Sequence, residues 1–178
     1  AIINRLKKNG FLLVLIFSLL LPSISKATIT LPYFFSDNMV LQQKTDAAIW
    51  GWAKPGSTVQ ITTSWNKKKY TTATNSEGKW KTKIATPAAG GPYEITISDG
   101  SAITIKNILI GEVWLCSGQS NMEMAMKGFK DQPILNSNDA IFNSTNNNIR
   151  LYTVPRSVQR TPQDTSKNSS WKNAEPEA

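Results

Sequence analysis

The sequence predicts a β-sandwich, immunoglobulin-like or jelly-roll-like, followed by the beginning of an α/β domain. Three observations carry this expectation. Short runs of alternating apolar and polar residues recur through residues 28–107, separated by turn chemistry. A run apolar on both faces, Ile108-Leu109-Ile110 and then Val113-Trp114-Leu115, suits a central strand covered by helices. That run ends abruptly in small and polar residues before a helix-compatible stretch at residues 122–127. The 178 residues suffice for one ordinary domain, or for a small domain and part of another.

Residues 1–27 form a separate unit. Arg5, Lys7 and Lys8 precede an apolar run at residues 11–21, and Ser25-Lys26-Ala27 gives a small-x-small cleavage pattern. The run is too short for a bilayer, which needs roughly 20 apolar residues. This order of residues is that of a secretory signal peptide cleaved after Ala27, so the mature protein is expected to be secreted or periplasmic.

The sandwich elements follow in order. Residues 48–53 form a short strand closed by Lys54-Pro55-Gly56. Residues 58–65 and 69–74 form two more, joined by the basic turn Lys67-Lys68-Lys69. Asn75-Ser76-Glu77-Gly78 is a turn, and residues 79–85 alternate through Trp80, Thr82 and Ile84. A loop at residues 88–92 leads to a strand at 93–98; Asp99-Gly100 turns the chain into a returning strand at 103–108. The expected core is Trp50, Trp52, Val59, Ile61, Trp80, Ile84, Tyr93, Ile95, Ile97, Ile103 and Ile105, with Trp65 at the surface beside the lysine turn. Beyond residue 108 only one further strand, 149–154, is evident, and residues 159–178 form a polar tail expected to be poorly ordered. Two α/β strands are too few to bury a parallel sheet on both faces. The domain boundaries expected are therefore 1–27 for the signal, 28–107 for the sandwich and 108–178 for an incomplete α/β part.

Charge and cysteine content exclude several functions. Cleavage of the signal removes four basic residues and no acid, lowering the formal net charge from +8 to +4. The lysine turn lacks the extended basic face with interleaved aromatics that nucleic acid needs. Cys116 is the only cysteine, so no intrachain disulfide can form; on an apolar strand it reads as a small buried hydrophobe. One cysteine and no histidine cannot build a usual zinc site, and no cofactor or metal is expected.

The chemistry concentrates in Leu115-Cys116-Ser117-Gly118-Gln119-Ser120-Asn121-Met122. A strand, tight turn and helix in succession lift a serine hydroxyl to the rim of a sheet, where its own N–H faces a developing oxyanion. Ser120 is the candidate nucleophile, and Gln119 and Asn121 are turn-shaping or substrate-facing candidates. Serine is a poor nucleophile without an adjacent base. The chain contains no histidine, and nothing in the sequence places Glu112, Glu123 or Asp131 beside Ser120.

The residues Gly111-Glu112-Val113-Trp114-Leu115-Cys116-Ser117-Gly118-Gln119-Ser120-Asn121-Met122-Glu123-Met124 resemble the sialate O-acetylesterases, carbohydrate esterases of the SGNH hydrolase superfamily. Upstream, Phe35-Ser36-Asp37-Asn38-Met39-Val40-Leu41-Gln42, Trp50-Gly51-Trp52-Ala53, Pro55-Gly56, Gly78-Lys79-Trp80 and Gly90-Gly91-Pro92-Tyr93 extend the likeness to residues 31–171. The resemblance implies a three-layer α/β/α SGNH-hydrolase domain beside the β-sandwich, truncated here. It implies an esterase that removes O-acetyl groups from sialic acids or related sugars. Ser120 matches the family nucleophile, its N–H one oxyanion donor. The family's later glycine, asparagine and histidine blocks are not recognisable, so this portion alone is expected to be inactive. Acetylxylan esterases share the Gly-Gln-Ser-Asn-Met core. A non-catalytic glycan-binding sandwich is the alternative from another class. The expected partner is an acetylated saccharide, with neither nucleic acid nor a membrane bound after signal cleavage.

Overall fold

Val40–Gln42, Ala102–Gly111, Gly90–Ser98, Thr58–Thr63 and Lys69–Ala73 meet, in that order, in one sheet, and Asp46–Trp52 and Lys79–Ala85 form a ribbon that shares its core. The computed structural model describes residues 29–177. Their strands are β1 (Val40–Gln42), β2 (Asp46–Trp52), β3 (Thr58–Thr63), β4 (Lys69–Ala73), β5 (Lys79–Ala85), β6 (Gly90–Ser98), β7 (Ala102–Gly111), β8 (Asn146–Leu151) and β9 (Lys172–Ala174). A short helix, α1 (Ser137–Phe142), precedes β8. The expected signal segment and the start of the expected sandwich range, residue 28, lie outside the described residues.

Period-two alternation decides which side chains reach the interior. In β3, Val59, Ile61 and Thr63 point inward and are fully buried, while Thr58 and Gln60 stay exposed. Across β6 the same alternation buries Ile95 and Ile97, and β5 contributes Trp80 and Ile84 from the opposite side. The register Ile61↔Ile97 and Ile97↔Ile103 stacks these residues across three strands. Strand β1 runs parallel to β7, Val40 opposite Leu109, and the other pairs in the sheet are antiparallel.

A bulge in β7 changes the phase of its alternation. Ile105 is buried, and so are Ile108 and Ile110, an odd step that strict pleating forbids. The register shifts opposite Tyr93 and Ile95, and Asn107 takes a left-handed φ of 55°. Asparagine tolerates that conformation better than branched residues. The 37–38 loop latches the bulge. The Lys106 N–H donates to Asp37 Oδ1 at 2.7 Å, the Asn38 N–H to the Lys106 carbonyl at 3.0 Å, and the Asn107 amide to Asn38 Oδ1 at 2.6 Å.

Several sequence expectations change. Residues 108–110 do not open a helix-covered strand; they extend the sheet as the end of β7. Pairing stops at Gly111, and residues 112–118 are irregular and exposed because no neighbouring strand accepts them. Cys116 is consequently exposed, not a buried hydrophobe. Trp50, Trp52, Tyr93 and Ile103 are half-buried, and the deepest core adds Met39, Ile49 and Ile108. Trp65 packs inward, donating its indole N–H to the Ala85 carbonyl at 3.0 Å and lying edge-on to Tyr93.

The polar tail is not loose. Trp171 donates its indole N–H to the Phe34 carbonyl at 2.8 Å, and Trp50 donates to the Asp164 carbonyl at 2.9 Å. Phe34, Tyr152 and Trp171 meet edge to face or tilted, and β9 pairs with β8 with Leu151 opposite Lys172. Two indole donors and this aromatic contact hold a segment whose own sequence is polar. Among the described residues no helix is long and apolar enough to cross a membrane.

Candidate active site

The path to Ser120 begins where β7 ends. Two successive glutamines clamp that exit. Gln42 donates its amide to one Glu112 oxygen at 2.9 Å, and Gln43 donates to the other at 2.7 Å. The Val113 N–H returns a bond to Gln42 Oε1 at 2.9 Å, and the Gln43 N–H donates to the Gly111 carbonyl at 2.8 Å. The Gln42 bond first, then the Gln43 bond, hold the exposed Glu112 carboxyl below its usual value, because both stabilise the charged form.

Ser120 itself opens a single 3-10 turn, Ser120–Met122. The Met122 N–H donates to the Gln119 carbonyl at 2.9 Å and the Glu123 N–H to the Ser120 carbonyl at 3.1 Å. Gln119, Ser120 and Asn121 are all exposed, so the three residues singled out from sequence stand side by side at the surface. The Ser120 hydroxyl makes no hydrogen bond among the described residues, and the backbone N–H groups of Ser120 and Asn121 find no acceptor there. A carbonyl oxygen brought to this turn would meet open donors beside an open hydroxyl.

The expected helix at residues 122–127 does not form. The 3-10 turn stops at Glu123, and Gly128, at a left-handed φ of 84°, reverses the chain with its N–H on the Ala125 carbonyl. With Met122 and Met126 exposed, nothing packs against an apolar helix face to offset the cost of nucleating it.

The acids nearby are engaged elsewhere or stand apart. Arg156 grips both Glu123 oxygens through Nε and Nη2. Glu112 is held by its glutamines. No described side chain hydrogen-bonds the Ser120 hydroxyl, and no described group of three or more acids or cysteines is poised to hold a metal ion. Gln43 and Arg156 were not evident as site neighbours from sequence. Gln42 carried a signal, as the polar residue that ends the apolar run Met39-Val40-Leu41; Arg156, just past a proline, carried none.

No family model matches the chain. The sialate O-acetylesterase of Pongo abelii is 33% identical over 103 residues, which is 52% of this chain and 20% of that protein. The sialate O-acetylesterase of Mus musculus is 30% identical over 131 residues, 68% of this chain and 24% of that protein. A crystal structure of a carbohydrate acetylesterase from Xanthomonas citri superposes with a TM-score of 0.75 at 30% identity, covering 84% of this chain and 33% of that one. The chain thus spans about a fifth to a quarter of the curated relatives it matches and a third of the solved structure.

Proposed function

From a chain that belongs to the sialate O-acetylesterase-like family, we propose the nucleophile-bearing portion of an exported carbohydrate O-acetylesterase. The observation that carries this reading is the open Ser120 turn: an exposed, unengaged hydroxyl next to two unengaged backbone donors. In this reading Ser120 Oγ attacks the acetyl carbonyl carbon of an O-acetylated sialic acid or related sugar. The Ser120 N–H takes the developing oxyanion. The sugar hydroxyl leaves with a proton, and water then releases acetate from the acetyl-serine. Gln119 and Asn121 flank the acetyl-bearing sugar. In this reading the strand-rich region is a β-sandwich, and the part of the expected 108–178 range that follows β7 begins an α/β SGNH-type hydrolase layer.

The attacking hydroxyl must lose its proton, and these 178 residues contain no histidine to take it. The reading therefore assigns the base to polypeptide outside them. A general base contributes roughly 10²–10⁴-fold in rate. The chain by itself is expected to show no appreciable turnover of O-acetylated sialic acid or acetylated xylan. A protein joining these residues to a histidine-bearing hydrolase segment is expected to hydrolyse one of the two, and Ser120→Ala is expected to abolish it. Retained wild-type turnover in that variant overturns the nucleophile assignment. Brisk turnover by the chain alone overturns the assignment of the base. Export through the N-terminal signal, with no membrane association afterwards, belongs to the same reading, and the mass of the mature N-terminus tests it.

A further inference from the structure

Far from Ser120 in sequence, the β2–β5 ribbon presents a second chemically distinctive face. Its register sets Trp50 opposite Lys81 and Trp52 opposite Lys79. Residues two apart on a strand share a face, so both indoles and both ammonium groups lie on the side away from Ile49 and Ile84. Between them lies a cleft of about 190 Å³ lined by Trp50, Gly51, Trp52, Trp80, Lys81 and Asp164, with Lys79 at its edge.

The charges on this face are unequal. Lys79 is neutralised by Asp164 at 3.2 Å and by Glu77 at 3.9 Å. Lys81 has no carboxylate partner among the described residues; its Nζ stands 5.8 Å from the Trp50 ring centre. Lys83 extends the basic row, and Asp46, at the far end of β2, is the acid on that strand's outward side. Trp80, between Lys79 and Lys81 in sequence, points the other way into the core and is 3% exposed, so the cleft's reach is set by the outward side chains alone.

We propose that this cleft binds a carboxylate-bearing sugar, with the apolar face of the ring on Trp52 and the carboxylate on Lys81. A flat indole offers area at little entropic cost and suits the C–H face of a pyranose. An uncompensated ammonium beside it selects an anion over a neutral sugar. The site serves to retain acidic glycan near the protein. It does not depend on the reading of Ser120, because binding here involves no chemistry.

The test uses the full chain and two probes that differ only at C6, methyl β-glucuronide and methyl β-glucoside. Binding is read from the indole N–H resonances. The glucuronide is expected to shift the Trp50 and Trp52 indole signals and to weaken as salt is raised. The glucoside is expected to bind about tenfold more weakly, the scale of one charge-assisted hydrogen bond. Lys81→Gln is expected to bring the glucuronide down to the glucoside, and Trp52→Ala to weaken both. Lys68→Gln, on the β3–β4 turn and outside the cleft lining, is the control and should change neither. Equal binding of the two sugars, no indole shift at millimolar glucuronide, or Lys81→Gln and Lys68→Gln variants behaving alike would each overturn the proposal. An inactive Ser120 leaves all of these readouts unmoved.

Discussion

Glu112 shows how little of a residue's environment its neighbours in sequence reveal. It is exposed, yet two glutamine amides, at and just past the end of β1, satisfy both its oxygens. Those bonds favour the carboxylate, so the pKa in the fold lies below that of the unfolded chain. The linkage has a definite sign: the stabilisation is present above the unfolded pKa and is lost as pH falls through the lowered folded value. Carbon-detected titration of the Glu112 carboxyl should show a midpoint below the ordinary glutamate range. Gln42→Leu, which removes the leading cause, should raise that midpoint. An unmoved midpoint would mean the clamp is not populated. Gly51 makes the opposite kind of prediction, about space. A Cβ there would meet the Thr30 carbonyl at 2.5 Å and Trp80 Cζ2 at 2.9 Å. Backbone on one side and a packed ring on the other leave nothing flexible to move. Gly51→Ala should destabilise by about 1–3 kcal/mol, the usual cost of overpacking, and lower the denaturant midpoint accordingly. A midpoint equal to wild type would show that the ribbon shifts freely.

Strands were the most legible elements. The run at 79–85 is the whole of β5, and 58–65 and 69–74 overshoot β3 and β4 by one or two residues. Alternation bounded by glycine and asparagine turns is a local signal, and these elements need nothing else. What escaped depended on partners far away. Strand β1 is only three residues long and exists because β7 lies parallel beside it. The β7 bulge depends on Asp37 and Asn38, about seventy positions earlier. The apolar run at 108–115 reads as one strand, but the structure divides it at Gly111, where backbone partners end. Around Ser120 the turn was legible from small residues; the Glu123–Arg156 grip was not, because arginine in a loop has no periodicity. Amide exchange should expose the same division. Ile95, Ile97 and Ile105, paired and buried in the sheet, should exchange slowest, close to the global opening free energy. Residues 114–118, whose amides find no acceptor among the described residues, should exchange almost as fast as free peptide. Comparable protection in the two segments would contradict the break at Gly111.

The molecule as a whole divides by what it buries. Of the thirteen exposed large hydrophobic residues among those described, twelve lie between residues 113 and 158; Tyr33 is the exception. Trp114 and Leu115 are 85% and 89% exposed, and Leu135 and Phe142 are 88% and 81% exposed. Scattered surface apolar residues are ordinary, but such a concentration in one stretch of the chain favours association. The preceding strands need no cover, since their core is closed between two sheets. The docked tail meets only the far part of that stretch, where β9 pairs with β8 and Trp171 lies against Tyr152. Trp171 reaches the Phe34 and Tyr152 side, and none of its recorded contacts is to residues 113–142. Association of the isolated chain should therefore rise with concentration and be read by sedimentation, together with binding of an apolar dye. Leu115→Glu with Phe142→Glu places two charges in the uncovered stretch without touching the buried core. That double variant should stay monomeric and lose dye binding. Its thermal midpoint should match wild type, because exposed substitutions of this kind shift stability by only about 0.5 kcal/mol. A wild-type chain that remains monomeric at high concentration and binds no dye would show that residues 113–158 cover themselves.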